Sequence, residues 1–353
     1  MFTETPESAS TTKSDPTALD RQNRRLERLK QIGVSRSTVL VHAQCKPAFE
    51  QLKMHFVDPS AAGRLIEFAE RLREKVTNVA QVKHLSPFRY PGGKTWLVPE
   101  VRKRLISAKR TPSVFVEPFC GGGIVGLTVA AENLAANVAL CELDEDVAAV
   151  WQTVFEGTDV DARWLRDRIV NFQVSLENVR EVLDSSPSTE RTRAFRTIVK
   201  NRMQRGGIMS EGAGLVKTGE NGKGLLSRWY PETLAERLDA IRALKRKVTF
   251  TCEDAFAAVE RYADDKDAYF FIDPPYTAGG KNAGTRLYTH FEVDHEWLFA
   301  AMSAVRGSVM MTYDDAPEVR EMAQRHGFQV ENVKMKNTHH EVMHELIVTK
   351  GAG

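Results

Sequence analysis

The sequence lacks most features that mark secreted, membrane-spanning or metal-binding proteins. No apolar run approaches the roughly 20 residues that a bilayer-spanning helix requires. No apolar segment follows the first basic residues, which predicts a chain without a signal peptide. The four cysteines, Cys45, Cys120, Cys141 and Cys252, are scattered without paired metal spacing. In a chain of 353 residues this pattern predicts reduced thiols in a cytoplasmic protein with no membrane partner.

An excess of one charge is also missing, because 49 Lys and Arg stand against 47 Asp and Glu. The distribution is uneven, however. From Arg191 to Lys247 the chain has 14 Lys and Arg but only 5 Asp and Glu. A basic stretch of this kind suits a polyanion, since each phosphate contact releases counterions. A solvated helix surface has the same composition, so charge alone leaves both interpretations open.

The first 83 residues differ from the rest of the chain in composition and in the spacing of their apolar residues. Residues 1–18 are rich in Ser, Thr, Pro and Glu without periodicity, which predicts a disordered tail. Apolar stripes at helical spacing then predict a helical extension up to residue 83. Residues 33–39 resemble the turn of a helix-turn-helix unit, because Gly33 can adopt a positive φ and Ser35 can cap the next helix. A helical hairpin is the favoured alternative, since residues 39–41 would make a β-prone recognition helix.

From residue 113 onward, short apolar runs alternate with helical stretches. The runs cover residues 114–116, 138–141, 248–250, 269–272 and 308–312. Their alternation with helices predicts an α/β fold with a mostly parallel sheet. Glu117, Glu142 and Asp273 follow three of the runs, at the strand ends where open α/β sheets bind ligands. We divide this region into a cofactor-binding half, a mainly helical insertion and a catalytic half, at residues 84–154, 155–247 and 248–353.

The motif Asp273-Pro274-Pro275-Tyr276 directly follows one of these apolar runs. An exocyclic amine of a nucleobase is a poor nucleophile, because its lone pair is delocalised into the ring. The Asp273 carboxylate and the Pro274 carbonyl can accept the two amine hydrogens and free the lone pair, and the prolines stiffen the loop. Tyr276 offers an aromatic face to an extruded base. A simple strand-ending turn has a similar composition, so the motif needs support from other features.

A glycine loop, Cys120-Gly121-Gly122-Gly123, follows the first apolar run. Glycines at this place allow a cofactor to lie against bare backbone. Glu117, just before the turn, suits a cation such as the methionine part of S-adenosylmethionine better than it suits a pyrophosphate. Glu142, after the next run, can accept hydrogen bonds from ribose hydroxyls.

Two further clusters carry weaker signals. Tyr90-Pro91-Gly92-Gly93-Lys94 contains glycines and a lysine, but it lacks the spacing of a phosphate loop and no strand precedes it. His339, His340 and His344 have a metal-like spacing, yet no carboxylate or cysteine set completes it. A zinc site needs three or four committed ligands, so we predict no metal site.

Together, these motifs resemble the Dam-like DNA adenine methyltransferases of the alpha order. In that family the cofactor loop comes first, then a target-recognition insertion, then the catalytic loop. The resemblance covers residues from about 84 to the C-terminus and implies a Rossmann-like, S-adenosylmethionine-dependent sheet. It implies a catalytic motif at residues 273–276. It also implies a set of cofactor contacts: Tyr90, Lys94, Glu117, Phe119, Gly121, Gly123, Glu142, Asp254 and Asp273.

The resemblance also implies a role for the basic stretch from Arg191 to Lys247. Asn201-Arg202 through Gly207 is similar to the start of the family's recognition domain, which implies double-stranded DNA as the partner. We expect the leading DNA contacts from five cations: Arg193, Arg196, Lys200, Arg202 and Arg205. Two departures stand out. Tyr90 replaces the tryptophan of many members, and the insertion beyond Gly207 does not match the members that read GATC, which leaves the target sequence open.

Other activities remain as alternatives. The same chemistry could act on cytosine N4, an RNA adenine or a protein glutamine. Cytosine enzymes usually carry serine and glutamine enzymes asparagine in place of Asp273, so the aspartate favours adenine. A catalytically silent DNA-binding regulator is the alternative from another class, and the intact catalytic motif argues against it. A cognate restriction enzyme is a candidate partner, and the sequence leaves the oligomeric state open.

Overall fold

The computed structural model describes residue 27 and residues 46–53, 55–62, 64–65, 82–89, 93–210, 213–276, 292–336 and 342–351. The predicted tail, the helix-turn-helix-like segment, Tyr90 and the pair His339-His340 lie outside these residues. The chain divides into two compact units, residues 1–75 and 76–353. The described part of the first unit contains helix α1 (Lys46–Leu52) and two short 3-10 turns.

The second unit contains the predicted α/β architecture. Its strands are β1 (Val114–Glu117), β2 (Asn137–Glu142), β3 (Val248–Cys252), β4 (Ala268–Ile272), β5 (Ser308–Asp314), β6 (Gln329–Lys336) and β7 (Val342–Lys350). Its helices are α2 (Val98–Ser107), α3 (Ile124–Ala131), α4 (Glu145–Trp151), α5 (Asp159–Val170), α6 (Leu176–Asp184), α7 (Glu190–Met203), α8 (Pro231–Arg242), α9 (Ala255–Tyr262), α10 (His295–Ala304) and α11 (Pro317–Arg325). No helix in the described part of the chain is long and apolar enough to cross a bilayer.

The strands form one sheet in the order β3-β2-β1-β4-β5-β7-β6. The first five strands in this order are parallel, whereas β7 is antiparallel to both β5 and β6. All five predicted strands are confirmed, with ends within two residues of the expected ones, and the sheet confirms the predicted fold class. The strand order reverses between β1 and β4, and such a reversal opens a crevice at the carboxyl ends of the strands. Glu117, Glu142 and Asp273 therefore reach the same edge of the sheet.

The central strands are buried on both faces, which explains their continuous apolar sequences. Every residue of β1 and β4 is buried. Successive side chains point to opposite faces, so Phe115 and Phe271 belong to one core cluster while Val116 and Phe270 belong to the other. Helices therefore cover both faces of the sheet, and the polar ends of the strands are left to form a site.

The insertion is helical, as predicted, and it shares the core of the cofactor-binding half. Leu165, Phe195 and Trp229 belong to the same buried cluster as Phe115 of the central strand. Segment 82–89 also joins this cluster through three side chains, Val82, Leu85 and Phe88. The second unit accordingly begins at residue 76, a few residues before the predicted boundary at residue 84.

Candidate active site

Asp273 lies directly after β4 and is held by three donors. Its Oδ1 atom is 3.0 Å from Lys94 Nζ, 2.7 Å from Thr312 Oγ1 and 3.1 Å from Tyr276 Oη. Among the described residues, no donor contacts the other carboxylate oxygen, Oδ2. One oxygen therefore fixes the side chain in place, and the second can accept a hydrogen from a substrate.

The rest of the catalytic motif packs around this carboxylate. Pro274 is buried, and Pro275 and Tyr276 are half-buried. The Tyr276 ring stacks on Tyr313 with a centroid separation of 6.0 Å, and Lys94 Nζ lies 4.7 Å from the Tyr276 ring centroid. The ring thus already has two neighbours, and base stacking on Tyr276 stays a prediction.

Glu345 is a site residue that sequence reasoning missed. It lies on β7 and is only 7% exposed. Its Oε2 atom is 3.1 Å from Tyr276 Oη and 3.7 Å from Lys94 Nζ. The available signal was a glutamate immediately before the apolar run Leu346-Ile347-Val348, since a charged residue in a buried strand usually has a partner.

The glycine loop and Glu117 form the adjoining part of the site. Glu117 is 3% exposed, and its Oε2 atom accepts a hydrogen bond of 2.7 Å from the Gly126 backbone. A Cβ atom at Gly126 would lie 2.5 Å from that oxygen, so this position requires glycine. Gly121 accepts a bond from Trp151 Nε1 at 3.0 Å, and Gly123 has a φ of 61°. The buried carboxylate of Glu117 is thus followed by a loop whose three glycines have no side chains and which contains Gly123 at a positive φ.

Glu142 binds the same loop from the end of β2. Its Oε2 atom accepts from the Gly121 backbone at 2.8 Å, and Oε1 accepts from Leu143 and Asp144 at 2.9 and 3.0 Å. Burial raises its pKa to about 7. A carboxylate can accept about four hydrogen bonds, so Glu142 retains room for a ligand hydroxyl.

These residues fit S-adenosylmethionine, a ligand with a cationic amino acid end. Burial and the nearby Asp273 raise the pKa of Glu117 to about 8, which indicates a carboxyl group without a compensating charge. A cation beside it would remove that deficit. Glu117 would hold the amino acid end of the cofactor. The glycine loop would lie along the methionine chain of the cofactor, and Glu142 would bind its ribose.

Two other predicted cofactor contacts have weaker support. Asp254 is exposed, and its Oδ1 atom caps α9 by accepting from the Phe256 backbone at 2.8 Å. Phe119 is half-buried and packs against the second core cluster. Both lie beside the carboxyl end of the sheet, and their contact with the cofactor stays a prediction.

Asn201 connects the insertion to the segment that precedes Lys94. Its side chain is fully buried, accepts from the Arg89 backbone at 2.8 Å, and donates to the Arg89 and Gly207 carbonyls at 3.2 and 2.9 Å. Arg202 donates to the Pro87 carbonyl at 2.6 Å. The Asn-Arg pair that the resemblance singled out therefore holds the backbone of Pro87 and Arg89, a few residues before Lys94.

Arg202 requires a correction as a predicted DNA contact. It is 5% exposed, and desolvation lowers its pKa to about 9. A guanidinium buried to this extent cannot reach a phosphate without a rearrangement of the fold. The sequence could not reveal this, because one arginine of a basic helix looks like another until the packed face is known.

Of the other four predicted DNA contacts, Arg193, Arg196 and Lys200 are half-buried and Arg205 is exposed. Arg193 pairs with Glu145 at 2.6 Å. Arg196 and Lys200 lie 3.0 and 3.8 Å from Asp146, so these pairs join α7 to the start of α4. Arg205 is exposed, and no described residue forms an ion pair with it.

We expect Glu142→Ala to weaken S-adenosylmethionine binding by about 1.5–3 kcal/mol, because it removes a charged acceptor. It also removes the hydrogen bond that holds the Gly121 backbone. Isothermal calorimetry measures the change directly, and DNA binding should stay largely intact. Glu145→Ala, an exposed residue three positions on, is the matched control. Equal cofactor affinity in the two variants would exclude Glu142 from the site.

Glu117 should make the stability of the ligand-free protein depend on pH. Its pKa rises from 4.5 to about 8 on folding, so the folded state holds the proton more tightly than the unfolded state. The resulting stabilisation is complete below pH 4.5 and is lost as the pH rises through 8. Relative to Glu117→Gln, the wild-type free energy of unfolding should fall by on the order of a few kcal/mol across this window. A pH-independent difference in denaturant titrations would contradict the assignment.

Comparison with known proteins identifies the family. A model of the D12 class N6 adenine-specific DNA methyltransferases matches residues 90–339. No curated protein matches the chain.

Solved methyltransferase structures show only a distant likeness. The rRNA methyltransferase AviRa from Streptomyces viridochromogenes is 14% identical over 74% of this chain and 86% of its own, with a TM-score of 0.34. The precorrin-6y C5,15-methyltransferase from Geobacter metallireducens is 12% identical over 72% and 88%, with a TM-score of 0.29. TYW2 of P. horikoshii in complex with MeSAdo is 10% identical over 71% and 61%, also with a TM-score of 0.29. The family match covers well over half of the sequence, and the chain therefore belongs to the D12 class of N6 adenine-specific DNA methyltransferases, with S-adenosylmethionine as its methyl donor.

Proposed function

We propose that this enzyme methylates N6 of an adenine that is extruded from duplex DNA. Asp273 Oδ2 and the Pro274 carbonyl accept the two amine hydrogens. The observation that carries the proposal is the threefold anchoring of Asp273 Oδ1 by Lys94, Thr312 and Tyr276. A carboxylate fixed before the base arrives loses little entropy on binding it, and it withdraws the hydrogens in one defined direction.

The cofactor supplies an electrophilic methyl group, and the residues of the chain orient the amine toward it. Glu117 ends β1 and Asp273 directly follows β4, and these two strands are paired in parallel, so the amine site and the cofactor site adjoin. With the cofactor bound, Asp273 would direct the N6 lone pair toward the methyl group and would accept the one amine hydrogen that is lost as a proton when the methyl group replaces it. No covalent enzyme intermediate is required.

The substrate and the modified base can be tested in one experiment. Purified enzyme would be given a DNA duplex, its single strand and an RNA of the same sequence, and the digested products would be analysed by mass spectrometry. We expect N6-methyladenine in duplex DNA. N4-methylcytosine, or a product in RNA alone, would favour the alternative amines, and no product on any substrate would favour the silent regulator. A 2-aminopurine at the modified position would report extrusion by its fluorescence.

For DNA binding we propose a basic ribbon formed by the described residues between 203 and 224. Its two sides are joined by hydrogen bonds from Arg205 N to the Gly214 carbonyl and from Val216 N to the Met203 carbonyl, at 3.0 and 2.9 Å. Arg205, Lys217 and Lys223 are exposed on it. These cations replace Arg202 as the leading candidates for phosphate contacts, and the ion-paired cations of α7 rank behind them.

Neutralising a cation of the basic ribbon should reduce the salt dependence of DNA binding. Each lost phosphate contact lowers the slope of log K against log salt by about 0.9. We therefore expect Arg205→Ala and Lys217→Ala each to lower the slope by about one unit in fluorescence anisotropy titrations. Arg193→Ala, which removes an ion-paired arginine, should leave the slope unchanged. The opposite pattern would indicate that the cations of α7, and not those of the basic ribbon, contact the phosphates.

A cytoplasmic location and a partner restriction enzyme stay predictions from the sequence.

A further inference from the structure

Glu345 has no role in the chemistry described above, although it lies within the site. Its Oε2 atom and Asp273 Oδ1 lie at the same distance, 3.1 Å, from Tyr276 Oη. A tyrosine hydroxyl has a single hydrogen to donate. Two ionised carboxylates therefore cannot both be satisfied by Tyr276. The arrangement is complete only if one of the two carboxyls carries a proton and donates it to the tyrosine oxygen.

The surrounding charges indicate which carboxyl carries the proton. Lys94 Nζ lies 3.0 Å from Asp273 but 3.7 Å from Glu345, so the cation favours negative charge on Asp273. Thr312 adds a hydrogen bond to Asp273. Asp314 on β5 lies directly opposite Glu345 in the antiparallel ladder and adds a second like charge. On the other side of β7, the residue opposite Glu345 is the uncharged Val333.

Burial favours the same assignment. The Glu345 side chain is 10% exposed, against 22% for that of Asp273. An ionised carboxylate loses more hydration at the more buried position. Burial, together with Asp273 and Asp314, raises the pKa of Glu345 to about 7, although Lys94 and the hydrogen bond with Tyr276 oppose the shift.

We propose that Glu345 is a positioning residue that acts in its neutral form, donating its carboxyl hydrogen to Tyr276 Oη and thereby directing the Tyr276 hydrogen to Asp273 Oδ1. The inference rests on the proposed role of Asp273. Loss of the Glu345 proton leaves Tyr276 shared between two negative charges, and it adds a charge that competes with Asp273 for Lys94. Turnover should therefore decline as Glu345 ionises.

The test compares Glu345→Gln and Glu345→Leu with the wild type across pH 5.5 to 9. The cofactor is kept saturating, so that titration of Glu117 and Glu142 does not enter through cofactor binding. Glutamine is neutral and can donate to Tyr276 at every pH. We expect Glu345→Gln to keep kcat within about threefold at neutral pH and to lack the wild-type decline at high pH. Glu345→Leu should lose at least about tenfold at every pH, the equivalent of one hydrogen bond.

A second measurement reads the proton without relying on activity. In protein labelled with ¹³C at the glutamate carboxyls, the wild type should show a carbon signal that titrates near pH 7 and is absent in Glu345→Gln, while the signal of Glu142, whose pKa is also about 7, stays in both proteins. An inactive Glu345→Gln, an unchanged decline at high pH, or a Glu345 signal already ionised at pH 5.5 would each overturn the proposal. Asp273→Asn is assayed in parallel. Normal turnover in that variant would refute the proposed function, while the carboxyl titration would still decide whether Glu345 is neutral.

Discussion

Asp273→Ala should reduce the rate of methyl transfer by at least about a hundredfold, because it removes a preorganised acceptor at the reacting amine. Asp273→Asn should be nearly as damaging, since an amide in place of Oδ2 can present hydrogens instead of lone pairs to the substrate. Single-turnover kinetics at saturating cofactor and DNA measure the effect on the chemical step. Cofactor binding should weaken only in part, as Glu117 and Glu142 remain in place.

The matched control is Asp264→Asn, an exposed aspartate in the connection between α9 and β4. It precedes the amino end of β4, at the opposite edge of the sheet from the site, and its rate should equal that of the wild type. A variant at Asp273 that turns over as fast as this control would remove the carboxylate from the mechanism. A rate loss explained entirely by weaker cofactor binding would make Asp273 a cofactor residue instead.

Gly207→Ala should be the most damaging substitution outside the active site. A Cβ atom at Gly207 would lie 1.9 Å from the Arg89 carbonyl oxygen, and Gly207 has a φ of 73°. The Arg89 backbone cannot move away without breaking the hydrogen bonds that Asn201 makes to it. We expect thermal unfolding to show a loss at least about 2 kcal/mol larger than at a glycine with the same φ but open space.

Gly206 provides that comparison, because its φ is 68° and a Cβ atom added there would lie no closer than 3.6 Å to its nearest neighbour, Ile208 Cγ1. Gly206→Ala should cost only the backbone penalty of about 1–2 kcal/mol. Displacement of Arg89 should also shift Lys94, five residues later, so kcat should fall in Gly207→Ala but not in Gly206→Ala. Equal effects in the two variants would show that the insertion does not position Lys94 through this contact.

The basic stretch shows where counting charges along the sequence becomes misleading. The sum of charges made this stretch a candidate for polyanion binding, but it could not separate arginines that face solvent from those that face another helix. Arg193 and Arg196 face the acidic start of α4, and Arg202 faces a backbone carbonyl. Whether a cation pairs internally depends on contacts between segments about 50 residues apart, which no local pattern records.

The sequence by itself determined the five parallel strands, the glycine loop and the place of the Asp273–Tyr276 motif in this enzyme. Each of these depends on neighbouring residues: apolar runs for buried strands, glycine for a positive φ, and proline for a stiff turn. It also determined that Glu117, Glu142 and Asp273 meet, because parallel strands end at one edge of the sheet.

Only the tertiary structure decided that Lys94, Thr312 and Glu345 join Asp273. These residues come from separate segments, and Glu345 reaches the site because β7 turns back antiparallel to β5. Sequence periodicity can indicate that a residue is buried, but it cannot indicate its partner. The protonation of Glu345 follows from that partnership, because its charge state depends on the distances to Lys94, Asp273 and Tyr276, which exist only in the folded chain.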